Sequence, residues 1–273
     1  MFSYFEDMPE GLINPGDVVY VISDILELSK SERAQGRRFD RGEFIDSIQK
    51  MVTPEGTILF PTFNWDFCKG VPFDYLKTPS KTGALTSFAL SREDFKRTAH
   101  PLYSFAVWGK DTQKLVKMDN ENAFGPGSVF DYMNQVNAKA LVVGLHVLDG
   151  MTYVHHVEHM VGVPFRYTKR FTAPYIEADG TTHDYSCTMY VRDMDMDARE
   201  IEQFRPLSDI LERDGVSKTW NRDGVPFHVI SLRELDKYVR DDLINNDAKN
   251  LYVYNHIDKI PGIEDPRKIP DVR

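Results

Sequence analysis

The apolar residues of this chain fall alternately into strand-like runs and helix-like stripes. "DVVYVI" (17–22) is an uninterrupted apolar run after the turn "NPG", the pattern of a buried strand. "DRGEFIDSIQKMV" (40–52) spaces Phe44, Ile48, Met51 and Val52 at helical intervals, behind a capping residue, Asp40. "PEG" then turns the chain into a second strand, "TILFPTF" (57–63). "GALTSFALS" (83–91) predicts a helix and "FAVWG" (105–109) a strand. "SVFDYMNQV" (128–136) reads as a short helix capped by Ser128, and "AKALVVGL" (138–145) as another buried strand. Residues 171–192 predict a hairpin turning at Asp179-Gly180. This order predicts an α/β/α sandwich around a largely parallel or mixed central sheet, with the hairpin inserted in the C-terminal half. In such folds the site lies at the C-terminal ends of the strands.

Two polar stretches complete the pattern. "RDMDMDAREIEQ" (192–203) is acidic and predicts a solvated face. "GIEDPRKIPDVR" (262–273) predicts a loose tail. The 273 residues suit one α/β domain. Hydrophobic residues make up 41%, enough for a real core. The formal net charge of -9 argues against binding to nucleic acid or to an anionic membrane surface. The two cysteines, Cys68 and Cys187, make no disulfide framework and read as reduced. No run approaches the ~18 apolar residues of a membrane span, and the N-terminus lacks a signal-peptide pattern. A cytoplasmic location is the expectation.

Three of the eight histidines lie in "TYVHHVEHMVG" (152–162). On a helix, Tyr153, Val154, Val157, Met160 and Val161 form a core stripe. His155, Glu158 and His159 fall on the opposite arc, with His156 at its edge. Residues three apart are neighbours, so Glu158 can orient His155 as a general base. A hydrated helix face is the plain alternative. A zinc site on His155, His159 and Glu158 is another, although the order H-H-x-E-H departs from H-E-x-x-H and no third ligand is evident.

Six separated segments together resemble the aminoglycoside 3-N-acetyltransferases, the antibiotic N-acetyltransferase family. They are "VISDIL", "FPTFNW", "SKTGALTSF", "HPLYSFAVWG", "FGPGSVFDY" and "TYVHHVE", in family order across residues 15–175. The loop "LHVLDGMT" replaces the family's H-D-x-N-T and keeps Asp149 as its only acid. Ile22 stands where the family has His, and Asp24 where it often has Ser. The continuation "GVPFRYTKRF" looks like members associated with polysaccharide biosynthesis.

The resemblance implies an N-acetyltransferase that uses acetyl-CoA as co-substrate, binds no metal, and transfers directly to a small-molecule amine. His155 would be the base, Glu158 its orienting partner, and Thr152 would cap or shape the helix start. Anion sites for CoA would be helix or turn N-termini at Ser23 and Asp24, at Thr82, Gly83 and Ala84, and at Gly127 and Ser128. His100 and Ser104 would flank the donor. Asp149, Tyr153, Arg166 and Lys169 would meet the acceptor. The basic cluster Arg166, Lys169 and Arg170 could meet a phosphate of CoA or of a nucleotide-linked sugar, and it favours a nucleotide-linked amino sugar over an aminoglycoside as acceptor. The rival readings are aminoglycoside resistance, a zinc hydrolase, and a catalytically inactive binding module. Homodimerisation is left open.

Overall fold

The computed structural model describes residues 4–196 and 198–253. The expected loose tail, 262–273, lies outside them. β1 (Val18–Ser23) is followed by α1 (Leu26–Ala34), α2 (Arg41–Val52) and β2 (Thr57–Pro61). All five residues of β2 are buried, which is why its apolar run is uninterrupted. α2 starts where Asp40 accepts from Gly42 N at 2.7 Å and Glu43 N at 3.0 Å. Then come β3 (Phe73–Asp74), α3 (Ala84–Ser91), β4 (Lys96–Arg97), β5 (Phe105–Gly109) and α4 (Thr112–Val116). α5 (Val129–Gln135) is capped by Ser128 Oγ, which accepts from Asp131 N at 3.1 Å. β6 (Lys139–Val143) leads into the histidine helix α6 (Tyr153–Val161).

The second half begins with β7 (Arg166–Ile176) and β8 (Thr182–Arg192), an antiparallel hairpin. It starts five residues earlier than the expected 171, because "RYTKR" pairs with the end of β8. β9 (Arg199–Glu200), α7 (Arg205–Arg213), β10 (Lys218–Arg222), β11 (Val225–Ser231), α8 (Leu232–Asn245) and β12 (Tyr252–Val253) follow. The acidic stretch is not simply a solvated face. Asp193, Met196 and Ala198 are buried within it, because β9 pairs with β12 and holds the segment against the body.

The main sheet runs β10-β11-β6-β1-β2-β5-β4. β1 is parallel to both β2 and β6, whereas β5 and β11 are antiparallel to their inner neighbours, so the sheet is mixed. Successive residues of β1 point to opposite faces. Val19 and Val21 join one core with Phe44 and Ile48 of α2 and Leu85 of α3. Tyr20 and Ile22 join the other with Phe130 of α5, Val157 of α6 and Leu235 of α8. These two cores make the α/β/α sandwich.

β1 therefore lies between β6 and β2, and the chain departs to opposite faces around it. That is a switch point, where open α/β sheets form a crevice. One glycine closes the loops there. Gly144, just after β6, has φ +71°, and a Cβ on it would lie 2.2 Å from Asp24 O. Asp24 N in turn donates to Val143 O at 2.9 Å.

Candidate active site

The parallel strands β1, β2 and β6 end on one edge of the sheet, and a cavity of about 660 Å³ opens there. Its size suits a small-molecule site. The exit of β1 contributes Ser23 and Asp24, and the exit of β2 contributes Phe63 and Trp65. Thr82, Ala84 and Leu85 bring in the start of α3. Gly150 and Thr152 bring in the start of α6, while Tyr20 and Ile22 complete the lining. Asp24 is the one charged side chain among the described lining residues.

Thr152 sits one helical turn before His155. It adopts helical angles, φ -57° and ψ -19°, and makes no side-chain cap. The expected capping role does not hold, since a capping residue needs an extended backbone to fold its oxygen back onto the helix. Thr152 instead faces the cavity.

α6 is buried on both sides, which corrects the expected division into core stripe and wet face. Tyr153, Val154 and Val157 are buried, as that stripe required, but His156, Glu158 and His159 are buried too, and Met160 is 42% exposed. β7, β8 and the β9–β12 pair supply groups that meet the polar arc. His156 Nδ1 lies 2.6 Å from Phe124 O, and the His159 ring packs against Tyr190 at 4.7 Å.

His155 Nδ1 lies 2.9 Å from Glu158 Oε2. The imidazole side chain keeps 22% exposure while the carboxylate has none, so the ring is the reachable member of the pair. Arg166 Nε lies 2.6 Å from the same Oε2. Tyr252 Oη donates to Glu158 Oε1 and accepts from Arg166 Nη2 at 3.1 Å. Burial alone would push the Glu158 carboxyl up. The Arg166 guanidinium, His155 and Tyr252 outweigh it and hold the group below the usual carboxylate range. A carboxylate so fixed favours the imidazole tautomer with its proton on Nδ1, leaving Nε2 as the basic nitrogen. His155 is not itself among the cavity-lining residues; a chain of ring contacts runs from it to Trp65, which is. Trp65 is 6.3 Å from Tyr103, Tyr103 4.7 Å from Phe124, and Phe124 5.7 Å from His155.

Other sequence-derived candidates lie elsewhere. Arg166 is not a substrate contact in waiting, because its charge is spent on Glu158 and on Glu200 at 3.2 Å. Lys169 Nζ sits 5.3 Å over the Phe171 ring, outside the cavity lining. Tyr153 is wholly buried in the core, with its ring 5.3 Å from that of His156. Asp149 is half-buried in the loop before α6 and does not line the cavity.

Ser104 is buried among Thr62 and Arg97, accepting from Arg97 Nε at 3.1 Å and donating to Thr62 O at 3.0 Å. His100 Nδ1 accepts from Leu102 N and Tyr103 N, and burial pushes its pKa down to about 4. Both are bonded around the entry to β5, and neither lines the cavity.

The three helix starts differ as anion sites. Asp24 Oδ1 already accepts from Leu26 N at 2.9 Å at the start of α1. Ser128 Oγ and Asp131 Oδ2 occupy the start of α5, the latter accepting from Gly127 N at 2.7 Å. Gly83, at φ +118° before α3, leaves its helix without a side-chain cap and without a carboxylate on its first turn.

Among the described residues no three His, Cys, Asp or Glu side chains converge as a metal site, so the zinc reading has no ligand set. No helix among them is long and apolar enough to cross a membrane. Sequence reasoning missed Tyr20, Trp65, Phe124 and Tyr252. Trp65 follows the "FPTFN" strand end and was within reach of pattern reading, whereas nothing local marks Tyr252.

Known proteins share this fold. The aminoglycoside N(3')-acetyltransferase-like protein YokD of Bacillus subtilis (strain 168), SPbeta prophage-derived, is 24% identical over 231 residues, 76% of this chain and 80% of its own. The crystal structure of YokD superposes with a TM-score of 0.68 at 22% identity, covering 87% of this chain and 90% of that one. AAC-IIIb in its binary complex with CoASH gives 0.72 at 18% identity, over 90% and 95%. Sisomicin-bound AAC-VIa gives 0.74 at 18%, over 90% and 98%. At these identities the structures establish a shared fold. The family profile described as aminoglycoside 3-N-acetyltransferase matches residues 30–243, from α1 to the end of α8 and through the whole His155–Glu158 helix. The chain belongs to the aminoglycoside 3-N-acetyltransferase family and is an N-acetyltransferase by that membership.

Proposed function

We propose that this protein transfers an acetyl group from acetyl-CoA directly to an amine of an aminoglycoside, with His155 as general base. The observation that carries this reading is the clamped dyad: His155 on Glu158, and Glu158 on Arg166 and Tyr252, one turn from a cavity-lining threonine. An ammonium group cannot attack a thioester until it loses a proton, and neutral imidazole accepts that proton near neutral pH. Nε2 of His155 takes it, and Glu158 stabilises the imidazolium. Holding both substrates in one cleft supplies proximity without a covalent enzyme intermediate. The uncapped start of α3 is the helix terminus best able to receive a CoA phosphate.

The acceptor follows from charge. The nucleotide-linked acceptor required a basic cluster at 166–170 that was available to a phosphate. Arg166 is buried against Glu158, and Arg170 pairs with Glu121 at 3.1 Å. The cavity instead presents Asp24, and no Lys or Arg stands among its described lining residues. A cavity of that sign favours a polycation. The relatives whose names include an aminoglycoside acetyltransferase support the same choice.

The test is an acetyl-CoA-dependent thiol-release assay over aminoglycosides, simple amino sugars and nucleotide amino sugars. Turnover is expected with aminoglycosides. Turnover confined to nucleotide amino sugars overturns the acceptor, and no turnover on any amine overturns the activity.

A further inference from the structure

Two hydroxyls in the cavity lining have no hydrogen-bond partner among the described residues: Tyr20 Oη and Ser23 Oγ. Tyr20 is the more telling. It stands on the central strand β1, fully buried, with Phe105 and Phe130 edge-on at 5.9 and 6.5 Å fixing its ring. Its oxygen neighbours Thr152 but forms no well-made bond with it. Leaving a buried hydroxyl unsatisfied costs about 1–3 kcal/mol, and an apolar residue would have filled this strand position at no such cost. Apart from its Thr152 neighbour, the candidate partner for this oxygen is a ligand seated in the cavity that Tyr20 lines.

We infer that Tyr20 is a catalytic residue whose hydroxyl donates a hydrogen bond to the thioester carbonyl oxygen of the acyl donor. The inference rests on the acetyltransferase reading above. The surroundings select the acyl group over the acceptor. Ile22, Pro61 and Phe63 make this part of the lining apolar. Such a wall suits a small acetyl group with one carbonyl, whereas the hydroxyl- and ammonium-rich acceptor matches Asp24 and Ser29.

In the step, the ammonium first loses one proton through His155 Nε2 to solvent, which leaves a neutral amine and a neutral imidazole. The amine nitrogen attacks the carbonyl carbon and a C–N bond forms, its second proton passes to His155 Nε2, and the carbonyl π electrons move to oxygen, where Tyr20 meets the developing charge. Collapse restores C=O and breaks the C–S bond. The departing thiolate takes the proton from the His155 imidazolium. The phenol is not consumed, and burial, which raises its pKa, keeps it protonated as a donor. Such donors in a dry site act on the transition state more than on the bound substrate.

Tyr20→Phe keeps the ring and removes only the hydroxyl. We expect kcat to fall on the order of 10², with the KM values little changed. The thermal midpoint should hold or rise, because no intramolecular bond is lost. Isotope-edited infrared spectroscopy of bound acetyl-CoA gives a readout without turnover. The carbonyl stretch should be lowered in the wild type relative to free acetyl-CoA, and should return toward the free value in Tyr20→Phe. An unshifted stretch in a wild type that binds and turns over acetyl-CoA overturns the inference and leaves the acetyltransferase reading standing. So does full activity of Tyr20→Phe. A fall in midpoint alongside the fall in kcat assigns the hydroxyl a structural role and also overturns it. A wild type that neither binds nor turns over acetyl-CoA removes both readings.

Discussion

Glu158 is a carboxylate with no exposed surface, tolerable only because a guanidinium, a phenol and an imidazole all point at it. His155→Ala should lower kcat by roughly 10²–10⁴ while acetyl-CoA still binds; calorimetric titration beside steady-state kinetics checks both halves. Glu158→Gln should do something different. It removes the buried partner of Arg166 and leaves that guanidinium only Glu200, at the surface, as a carboxylate among the described residues, so destabilisation of up to about 3 kcal/mol should accompany a smaller loss of turnover, read from urea midpoints. The pH dependence has a fixed sign. A depressed folded-state pKa stabilises the fold above the ordinary carboxylate value of ~4.3, and that contribution drains away as pH falls through the folded value. The flattening of acid lability in Glu158→Gln relative to wild type measures it. At this scale the sequence disclosed the His155–Glu158 spacing, because neighbours on a helix are fixed by arithmetic. It misplaced Arg166, because charge sign does not say whether a side chain points to ligand or to core. It could not show Tyr252, which is 94 positions from Glu158.

Among elements, caps were the most legible features. Asp40 and Ser128 both cap the helices that their residue types announce, since the bonding is local. Ser128→Ala should cost about 1 kcal/mol of stability without altering the acetyl-CoA KM, because Ser128 caps its own helix and does not itself line the cavity. An increase in that KM would place an anion at α5 instead. The burial of α6 on both faces was illegible. What covers its polar arc is a hairpin and a two-strand pair, whose contacts reach from Arg166, eight positions on, to Tyr252, 94 positions on. Gly144 is the stringent backbone position. Gly144→Ala combines a left-handed φ with a methyl 2.2 Å from Asp24 O. It should cost about 3 kcal/mol or more and disturb the cavity mouth, lowering both the denaturation midpoint and the affinity for acetyl-CoA.

Across the whole molecule, ligand binding and folding are coupled through the cavity between β1, β2 and β6. Saturating acetyl-CoA at 100 times its Kd should add about 2.7 kcal/mol, a rise in melting temperature on the order of 5 °C. EDTA should leave turnover unchanged. Absence of the first, or failure of the second with rescue by zinc, would unseat the proposed chemistry. The alternating first half was readable as a sandwich because its strands are covered on both faces. In the last third, Leu232, Leu235 and Val239 of α8 also keep a helical period, but the order of its strands in the sheet has no local signal. β11 is nevertheless what extends the sheet beyond β6.

Tyr252 gives the molecule an order in time. The helix that holds the base is synthesised long before the strand that secures its carboxylate. A growing chain released just short of β12 would already possess His155, Glu158 and the cavity, yet Glu158 would lack one of its partners. The set of partners around Glu158 is therefore complete only once the last described strand docks. A protease cut in the β9–β12 region would remove one of them from a protein whose α6 is untouched.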